Sequence, residues 1–363
     1  MSKHICIVAG DMSGDTHAAA VSTALKKADN QVIISALGGT RLAVAADDFL
    51  GNIVELNAFG FFAPVKLFFT LRRIFNTVLL KHWSAVKPDA VILVDYYGFN
   101  IHVARAAHER NIPVYYYISP QVWASRPGRI AQLKKYVTRM LVILPFEKAL
   151  YESHGIPVTC MGHPLLDSIP LPDSLPTDPP VIGLFPGSRR SYFMRHVPIL
   201  LAATELIKQH IPNAKFMFFV VPSLVNQCQK LPFPVISEDG EFIERRKLTV
   251  AITTSGTVSL ENTLLGIPMV VLYRLSWFNY VIARMLVKIP YITMANILAQ
   301  REIVPEYIQR RATPENIADG VITLLSDGKA LSRSRESLLT VRQQLGQPGV
   351  SVRVAQLIVE NIS

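Results

Sequence analysis

The chain has 363 residues, half of them hydrophobic and only 18% charged, with 19 glycines, 24 prolines and three cysteines. That composition excludes a disordered chain, a collagen-like repeat and a disulfide-stapled scaffold, because apolar side chains are abundant and neither Gly nor Cys dominates. Lys plus Arg number 37 against 27 for Asp plus Glu, a net charge of +10, so the expected partner is anionic: nucleic acid, a phosphorylated small molecule or a membrane headgroup.

Ile5 to Val8 is a short apolar run followed by Gly10-Asp11-Met12-Ser13-Gly14-Asp15 and then by helical spacing from Thr16 to Lys27. Strand, glycine turn and helix in that order open a doubly wound α/β sheet. The run is too short for a signal peptide, which predicts a cytoplasmic protein. Further apolar runs at Val32–Ala36, Ala90–Val94, Val114–Ile118 and Leu141–Leu144 lack polar alternation, as parallel strands buried on both faces do. Cys6, Cys160 and Cys228 form no CxxC or Cys/His cluster and are expected to be three buried thiols, with no zinc site.

Between these strands lies Leu56 to Leu80, LNAFGFFAPVKLFFTLRRIFNTVLL. Pro64, Lys66, Arg72 and Arg73 exclude a bilayer-spanning helix. From Pro64 onward the pattern is amphipathic, with Phe and Leu beside cations, which suits either a helix in the membrane interface or one covering a domain core.

The stretch 169–180, IPLPDSLPTDPP, holds five prolines and is the natural linker, so residues 1–170 are expected to form one domain, 171–180 the connection and 181–345 a second domain. Strand and helix patterns restart at Val181–Phe185, near Val197–Gln209, at Phe216–Val221 and Leu248–Thr253, from Thr257, and at Met269–Tyr273. A C-terminal helix over 346–363 is expected to pack back on the first domain. The predicted fold is α/β: two Rossmann-like domains facing across a cleft, with ligands at the carboxyl ends of the strands.

Chemistry-bearing residues gather at those strand ends. Phe185-Pro186-Gly187-Ser188-Arg189-Arg190 follows a strand and offers turn amides with arginines, a plausible phosphate clamp without the Walker spacing. Thr253-Thr254-Ser255-Gly256-Thr257 leads into a helix whose N-terminus favours a phosphate. Glu261, one turn in, either binds both hydroxyls of a ribose or complements the helix dipole. Asp11 and Asp95 end strands of the first half and are candidate general bases. Asp15 and Asn100 suit helix caps, and His163 is either structural or reaches a phosphate.

Together these segments resemble the lipid-A-disaccharide synthase family of glycosyltransferases, of the GT-B type. The resemblance is carried by VAGDMSGD (8–15), KPDAVILVDYYGFN (87–100), YYISPQVWASRPGRI (116–130), ILPFEKALYESHGIPVTCMGHPLLD (143–167), LFPGSRR (184–190), TTSGTVSLENTLLGIPMVVLYR (253–274) and NILAQREIVPEYIQ (296–309), in the family's order. It implies an inverting hexosyltransferase that moves 2,3-diacylglucosamine from its UDP derivative to 2,3-diacylglucosamine 1-phosphate. It further implies the cytoplasmic face of the inner membrane as a partner surface, no cofactor and no required metal, in agreement with the absence of a DxD-type or His-rich cluster; no nucleic acid is expected, because no nucleic-acid-binding motif is recognised and the cations are dispersed, and a homodimer is allowed.

Residue by residue, the resemblance places Gly187, Ser188 and Arg189 near the UDP pyrophosphate and Ser255, Gly256, Thr257 and Glu261 at phosphate and ribose. Asn296, Glu306 and Gln309 match the family's N…PE..Q pattern near the donor. Asp95 is the expected base, with Asp11 second, Arg189 the stabiliser of the leaving UDP, and Ser13, Gly14, Asn100 and His163 on the acceptor side. The chain departs from the family in three places: Asp11 stands for Glu, which draws the carboxylate back by about one C–C bond, roughly 1.5 Å; Ser191-Tyr192-Phe193-Met194 stand where acidic residues are usual; and Leu224–Lys247 is divergent. The acylated substrates weigh the 56–80 segment toward a membrane-facing, acyl-binding surface. Two alternatives stand beside the synthase: another UDP-sugar enzyme of the same fold, such as an epimerase, and an inactive lipid-binding paralogue.

Overall fold

The computed structural model describes residues 2–58, 64–124, 127–170, 174, 178–237, 242–277, 280 and 289–362. Half of the Pro-rich stretch, 171–173 and 175–177, and residues 59–63 of the 56–80 segment lie outside them. The chain divides into two compact units, Met1–Asp167 with Leu345–Ser363, and Ser168–Gln344.

The first unit is a seven-stranded parallel sheet in the order β3-β2-β1-β4-β5-β6-β7, formed by β1 (His4–Ala9), β2 (Ile33–Gly38), β3 (Asp48–Asn52), β4 (Ala90–Val94), β5 (Val114–Tyr117), β6 (Arg139–Val142) and β7 (Val158–Cys160). Successive side chains point to opposite faces, so one run of residues feeds two cores. Cys6, Val8, Val91, Leu93, Val114 and Tyr116 pack on one side. Ile5, Ile7, Ile92, Val94, Tyr115 and Tyr117 pack on the other. Helices α1 (Met12–Ala28), α2 (Thr40–Ala45), α3 (Val54–Ala58), α4 (Pro64–Ile74), α5 (Leu80–Ala85), α6 (Tyr97–His108), α7 (Arg129–Tyr136) and α8 (Pro145–Ser153) connect the strands. A π-helical turn, Phe75–Leu79, joins α4 to α5.

The second unit repeats the plan with six parallel strands ordered β10-β9-β8-β11-β12-β13: β8 (Val181–Leu184), β9 (Lys215–Val220), β10 (Val235–Ser237), β11 (Val250–Thr253), β12 (Met269–Tyr273) and β13 (Glu306–Ile308). Its helices include α9 (Arg190–His210), α10 (Thr257–Leu264), α11 (Met294–Ala299), α12 (Pro314–Ser326) and α13 (Gly328–Gln344). Ile182, Phe218 and Ile252 of the sheet share a core with Leu200 and Ala203 of α9 and with Ile317 and Val321 of α12.

In each sheet the strand order reverses once, between β1 and β4 and between β8 and β11. Connections leave in opposite directions at such a point, which opens a crevice at the carboxyl ends of those strands. Both candidate acids follow β1 and β4, and both glycine loops of the second unit follow β8 and β11.

The central strands coincide with the apolar runs of the sequence, whereas β3, β7, β10 and β13 carry no such run. They are three to five residues long and end or border their sheets, so half of each faces outward and only tertiary pairing makes it a strand. The thiols require a correction: Cys6 and Cys228 are buried, but Cys160 is exposed. It closes the edge strand β7, which among the described residues pairs with a strand on one side alone.

Helix α14 (Val350–Ile362) lies on α1 and places Val350, Val354, Ala355 and Ile358 in the same core as Val21 and Leu25. Its N-terminus is closed by Asp167, whose carboxylate accepts from the amides of Gly349 (2.7 Å), Val350 (2.8 Å) and Ser351 (2.9 Å) and from the Ser351 hydroxyl (2.9 Å). Burial pushes the Asp167 carboxyl up, but these hydrogen bonds outweigh it and hold the pKa below the ordinary value. Asp167→Ala should therefore lower stability by about 2 kcal/mol, the upper range for a lost helix cap, read as a lower urea midpoint. Because the folded pKa is depressed, the contribution is complete above about pH 4 and is lost as pH falls through the folded value.

Candidate active site

In the first unit the site is assembled by backbone constraints at the ends of β1 and β4. Gly10 follows β1 because Tyr96 occupies the space beside it: a Cβ there would lie 1.9 Å from Tyr96 Cδ1. Asp11 then caps α1, its Oδ1 accepting from the Gly14 amide at 2.7 Å. Ser13 is exposed in the first turn, and Gly14 is packed against Asp11 and the Val94 carbonyl. Asp15 points elsewhere and caps a different helix, accepting from the amides of Gly39 (2.7 Å), Arg41 (3.0 Å) and Leu42 (3.2 Å) at the start of α2.

Asp95 and Tyr96, directly after β4, both have φ of +45°. Left-handed backbone is costly for residues with a Cβ, on the order of 1–3 kcal/mol each, and persists only where neighbours impose it. Here the fully buried Asn100 donates from Nδ2 to the carbonyls of Val94 (3.1 Å) and Asp95 (2.8 Å), and the Tyr116 hydroxyl donates to the Asp95 carbonyl at 2.6 Å. The clamp presents the Asp95 side chain near Asp11. Burial, reinforced by the Asp11 charge, pushes the Asp95 carboxyl up to about 6.

Glu147, which the sequence reading passed over, organises the next strand end. Ile118 after β5 is left-handed at φ +60°, and Ser119 Oγ (2.6 Å) and Trp123 Nε1 (3.2 Å) donate to Glu147 Oε1 while the Leu144 amide donates to Oε2 (3.1 Å). Burial raises the Glu147 carboxyl above its usual range. The available signal was a Glu as the third residue of a Pro-led helix. His163 is buried near His17, and that burial lowers its pKa to about 3. It is a neutral ring whose Nδ1 accepts from the Leu165 amide at 3.2 Å, and its backbone amide donates to the Leu345 carbonyl at 3.0 Å.

Helix α4 divides its faces. Leu71 and Ile74, with Phe75 of the following π-helical turn, pack toward the core, while Phe68 and Phe69 are 54% and 61% exposed beside Arg72 and Arg73. Between α4 and α6 lies a cavity of about 410 Å³ whose apolar walls are Phe68, Leu71, Phe75 and Phe99, bordered by exposed Arg72 and His102.

In the second unit Gly187 and Gly256 adopt φ of +101° and +144°, conformations reserved for glycine. They lead from β8 and β11 into α9 and α10, so two helix N-termini serve one switch point. Ser188 and Arg189 are exposed there, and the Arg189 guanidinium lies 5.7 Å from the Tyr192 ring. Of the four divergent residues, Tyr192 stacks on His196, Phe193 is buried and Met194 is exposed. Thr257 opens α10 and is exposed.

Ser255, Asn296 and Glu306 are joined through the chain itself. Ser255 Oγ donates to the Ile292 carbonyl at 2.6 Å. The Glu306 carboxylate accepts from the amides of Ile292 and Thr293 (both 2.9 Å), from Thr293 Oγ1 (2.7 Å) and from Asn296 Nδ2 (2.8 Å). Asn296 Oδ1 accepts from the amides of Ile303 (2.8 Å) and Val304 (2.9 Å). Gln309 is left-handed, and its Oε1 accepts from the Leu275 amide at 2.8 Å.

Glu261 faces a partner that no sequence pattern announced. Arg245 Nη1 donates to Glu261 Oε2 at 2.8 Å, and its guanidinium lies 5.0 Å from the Phe185 ring and 5.1 Å from the Phe242 ring. Only the fold brings this arginine, sixteen positions upstream in a polar stretch, to the helix that carries Glu261.

The family model described as lipid-A-disaccharide synthetase matches residues 5–360. A lipid-A-disaccharide synthase of Syntrophus aciditrophicus is 35% identical, the alignment covering 98% of this chain and 96% of the relative. One of Coxiella burnetii is 31% identical, covering 98% of each. Among solved structures, the glycotransferase of kitacinnamycin superposes with a TM-score of 0.66 at 15% identity over the whole of both chains. The UDP-GlcNAc 2-epimerase of Neisseria meningitidis superposes at 0.62 with 15% identity, covering 99% of each. The structures share the two-domain α/β fold of GT-B glycosyltransferases. A sequence match that runs almost from end to end, on strand-end motifs that the fold gathers at two switch points, makes this chain a member of the lipid-A-disaccharide synthetase family.

Proposed function

We infer that the protein transfers 2,3-diacylglucosamine from its UDP derivative to the 6-hydroxyl of 2,3-diacylglucosamine 1-phosphate, releasing UDP. The observation that carries this reading is the family match over residues 5–360. The relatives named for lipid A are 31–36% identical, whereas the epimerases share only the fold at 12–15%, so the synthase is favoured over the epimerase.

In this reading Asp95 is the base. A carboxylate with a pKa of about 6 is largely ionised at neutral pH and is a stronger base than an ordinary aspartate. It takes the proton of the acceptor hydroxyl as that oxygen attacks the anomeric carbon opposite UDP, which inverts the centre. Asp11 acts on Asp95 through its charge, and Asn100 holds the backbone that aims it. Ser13 and Gly14 line the acceptor's side of α1, and His163 keeps the chain in register with Leu345.

The diphosphate is assigned to the second unit. Gly187, Ser188, Gly256 and Thr257 bring the N-termini of α9 and α10 to it, and Arg189 neutralises the charge that develops on the leaving UDP. Glu261 takes the ribose hydroxyls, oriented by Arg245. Asn296, Glu306 and Gln309 hold the loops that carry Ser255 and Leu275 and serve the nucleotide from behind. Among the described residues no helix is long and apolar enough to cross a membrane. Phe68 and Phe69, with Arg72 and Arg73 beside them, suit a peripheral contact with an anionic membrane on the cytoplasmic side.

Transfer assays with both acylated substrates test the reading: UDP release should require the acylated acceptor, and turnover of UDP-N-acetylglucosamine without it would sink the synthase. Asp95→Asn should lower kcat by roughly 10²- to 10⁴-fold, the usual contribution of a general base, with melting temperature retained. The rate should rise with pH through about 6 and level off above it, because only the ionised carboxylate accepts a proton. Asp11→Asn should move that midpoint to lower pH by removing a neighbouring negative charge, while leaving it above the ordinary carboxylate value because burial is the larger cause. Arg189→Ala should cost roughly 10²- to 10³-fold in kcat; wild-type rates in both Asp95→Asn and Arg189→Ala would refute the assigned roles.

A further inference from the structure

The cavity between α4 and α6 has a feature that an ordinary packing defect lacks. Gly98, the second residue of α6, lines it, and a Cβ built on Gly98 meets nothing within 4 Å. Gly98 has no positive φ, so neither the backbone nor a close neighbour demands glycine at this position. Glycine in a helix weakens it by about 1 kcal/mol relative to alanine, and what it leaves here is open space against an apolar wall.

That wall continues to the proposed base. Phe75 and Phe99 meet edge to face with centroids 6.2 Å apart, and Phe99 lies 6.5 Å from Tyr96. Tyr96 in turn fills the space over Gly10 and directly follows Asp95. At the outer end stand the exposed rings of Phe68 and Phe69, with Arg72 and His102 as the flanking cation and imidazole. The π-helical turn at Phe75 interrupts the regular helix at the wall itself, a distortion that often marks a functional site. An apolar cavity of about 410 Å³, open beside a cation, matches one hydrocarbon chain attached to a polar anionic head. At roughly 30 Å³ per water-sized group, it holds on the order of a dozen methylenes.

We propose that this cavity binds one acyl chain of the acceptor sugar, with Gly98 keeping it open and Phe99 as its base. The inference rests on the preceding reading of Asp95 as the base that serves the acceptor. The chain enters past Phe68, and its headgroup phosphate remains near Arg72 at the mouth.

Gly98→Trp fills the cavity from a position where the added side chain meets no backbone, and Gly98→Ala controls for the change in helix propensity. Two readouts separate the cavity from the activity. The first is titration with cis-parinaric acid, a fluorescent acyl chain that needs no turnover: the parent and Gly98→Ala should bind it, and Gly98→Trp should bind at least tenfold more weakly at an unchanged melting temperature. The second is transfer kinetics: Gly98→Trp should raise KM for the diacylated acceptor at least tenfold, leave KM for the UDP donor unchanged, and flatten the parent's dependence on acceptor chain length. Equal binding of the probe by parent and Gly98→Trp overturns the cavity as an acyl site. A rise in donor KM with acceptor KM unmoved overturns its assignment to the acceptor. If the parent binds the probe through this cavity yet transfers no sugar to any acylated acceptor, the synthase reading fails and, with it, the acceptor assignment.

Discussion

The carbonyl of Asp95 is the point on which the first unit's site depends. It accepts from Asn100 Nδ2 and from the Tyr116 hydroxyl, and these two bonds hold Asp95 and Tyr96 in a left-handed conformation that neither would adopt freely. The reversal directs the Asp95 carboxyl to the side of Asp11, lays the Tyr96 ring over Gly10 and starts α6 where Gly98 and Phe99 meet α4. Asn100 is fully buried, so the clamp works in low dielectric, where a satisfied polar contact is strong and a broken one costly.

The second unit solves a different problem with the same sheet order. Its strand ends carry two glycines with positive φ, which leave the backbone open to close approach, and they lead into helix N-termini, whose field favours an anion. A base and a diphosphate have opposite needs. The carboxyl must be partly desolvated to be basic, whereas the phosphates need exposed amides and a cation. In the proposed roles the two units divide these needs, with burial around Asp95 and exposure at Ser188, Arg189 and Thr257. The chain's excess of positive charge is consistent with that division, since the exposed cations at Arg189, Arg72 and Arg73 all stand where an anion is proposed.

Candidate residues were legible where a strand run led straight into a glycine turn, as at Asp11, Asp95, Gly187 and Gly256. Those patterns are local, and the parallel sheet converts them into position. Residues with long-range partners were less so. Asn296 and Glu306 could be picked out by their pattern, but not the fact that their polar atoms bond to Ile292, Thr293, Ile303 and Val304 within the chain. Arg245 and Glu147 carried no signal strong enough to single them out, because an arginine in a polar stretch and a glutamate in a helix's first turn are ordinary until a fold buries them beside Glu261 and Ser119. His163 shows the same limit from the other side: sequence allowed a cation, and burial made it a neutral ring.

By itself the sequence determined the α/β class, the central strands and the turns at their ends, because unbroken apolar runs and glycine turns act over a few neighbouring residues. The family, too, was readable from seven segments in order. Tertiary structure alone decided the short edge strands, which are strands only by pairing, and the exposure of Cys160 that follows from β7 lying at an edge. It also decided what the 56–80 segment does with its two faces. The periodicity fitted a core helix and a membrane helix equally, and packing gave Leu71, Ile74 and Phe75 to the core while leaving Phe68 and Phe69 outside. The opening combination of half hydrophobic residues and a charge of +10 thus resolves physically: most of the apolar surface is buried in two parallel sheets, and burial, which no residue possesses alone, selects the part that remains for a ligand.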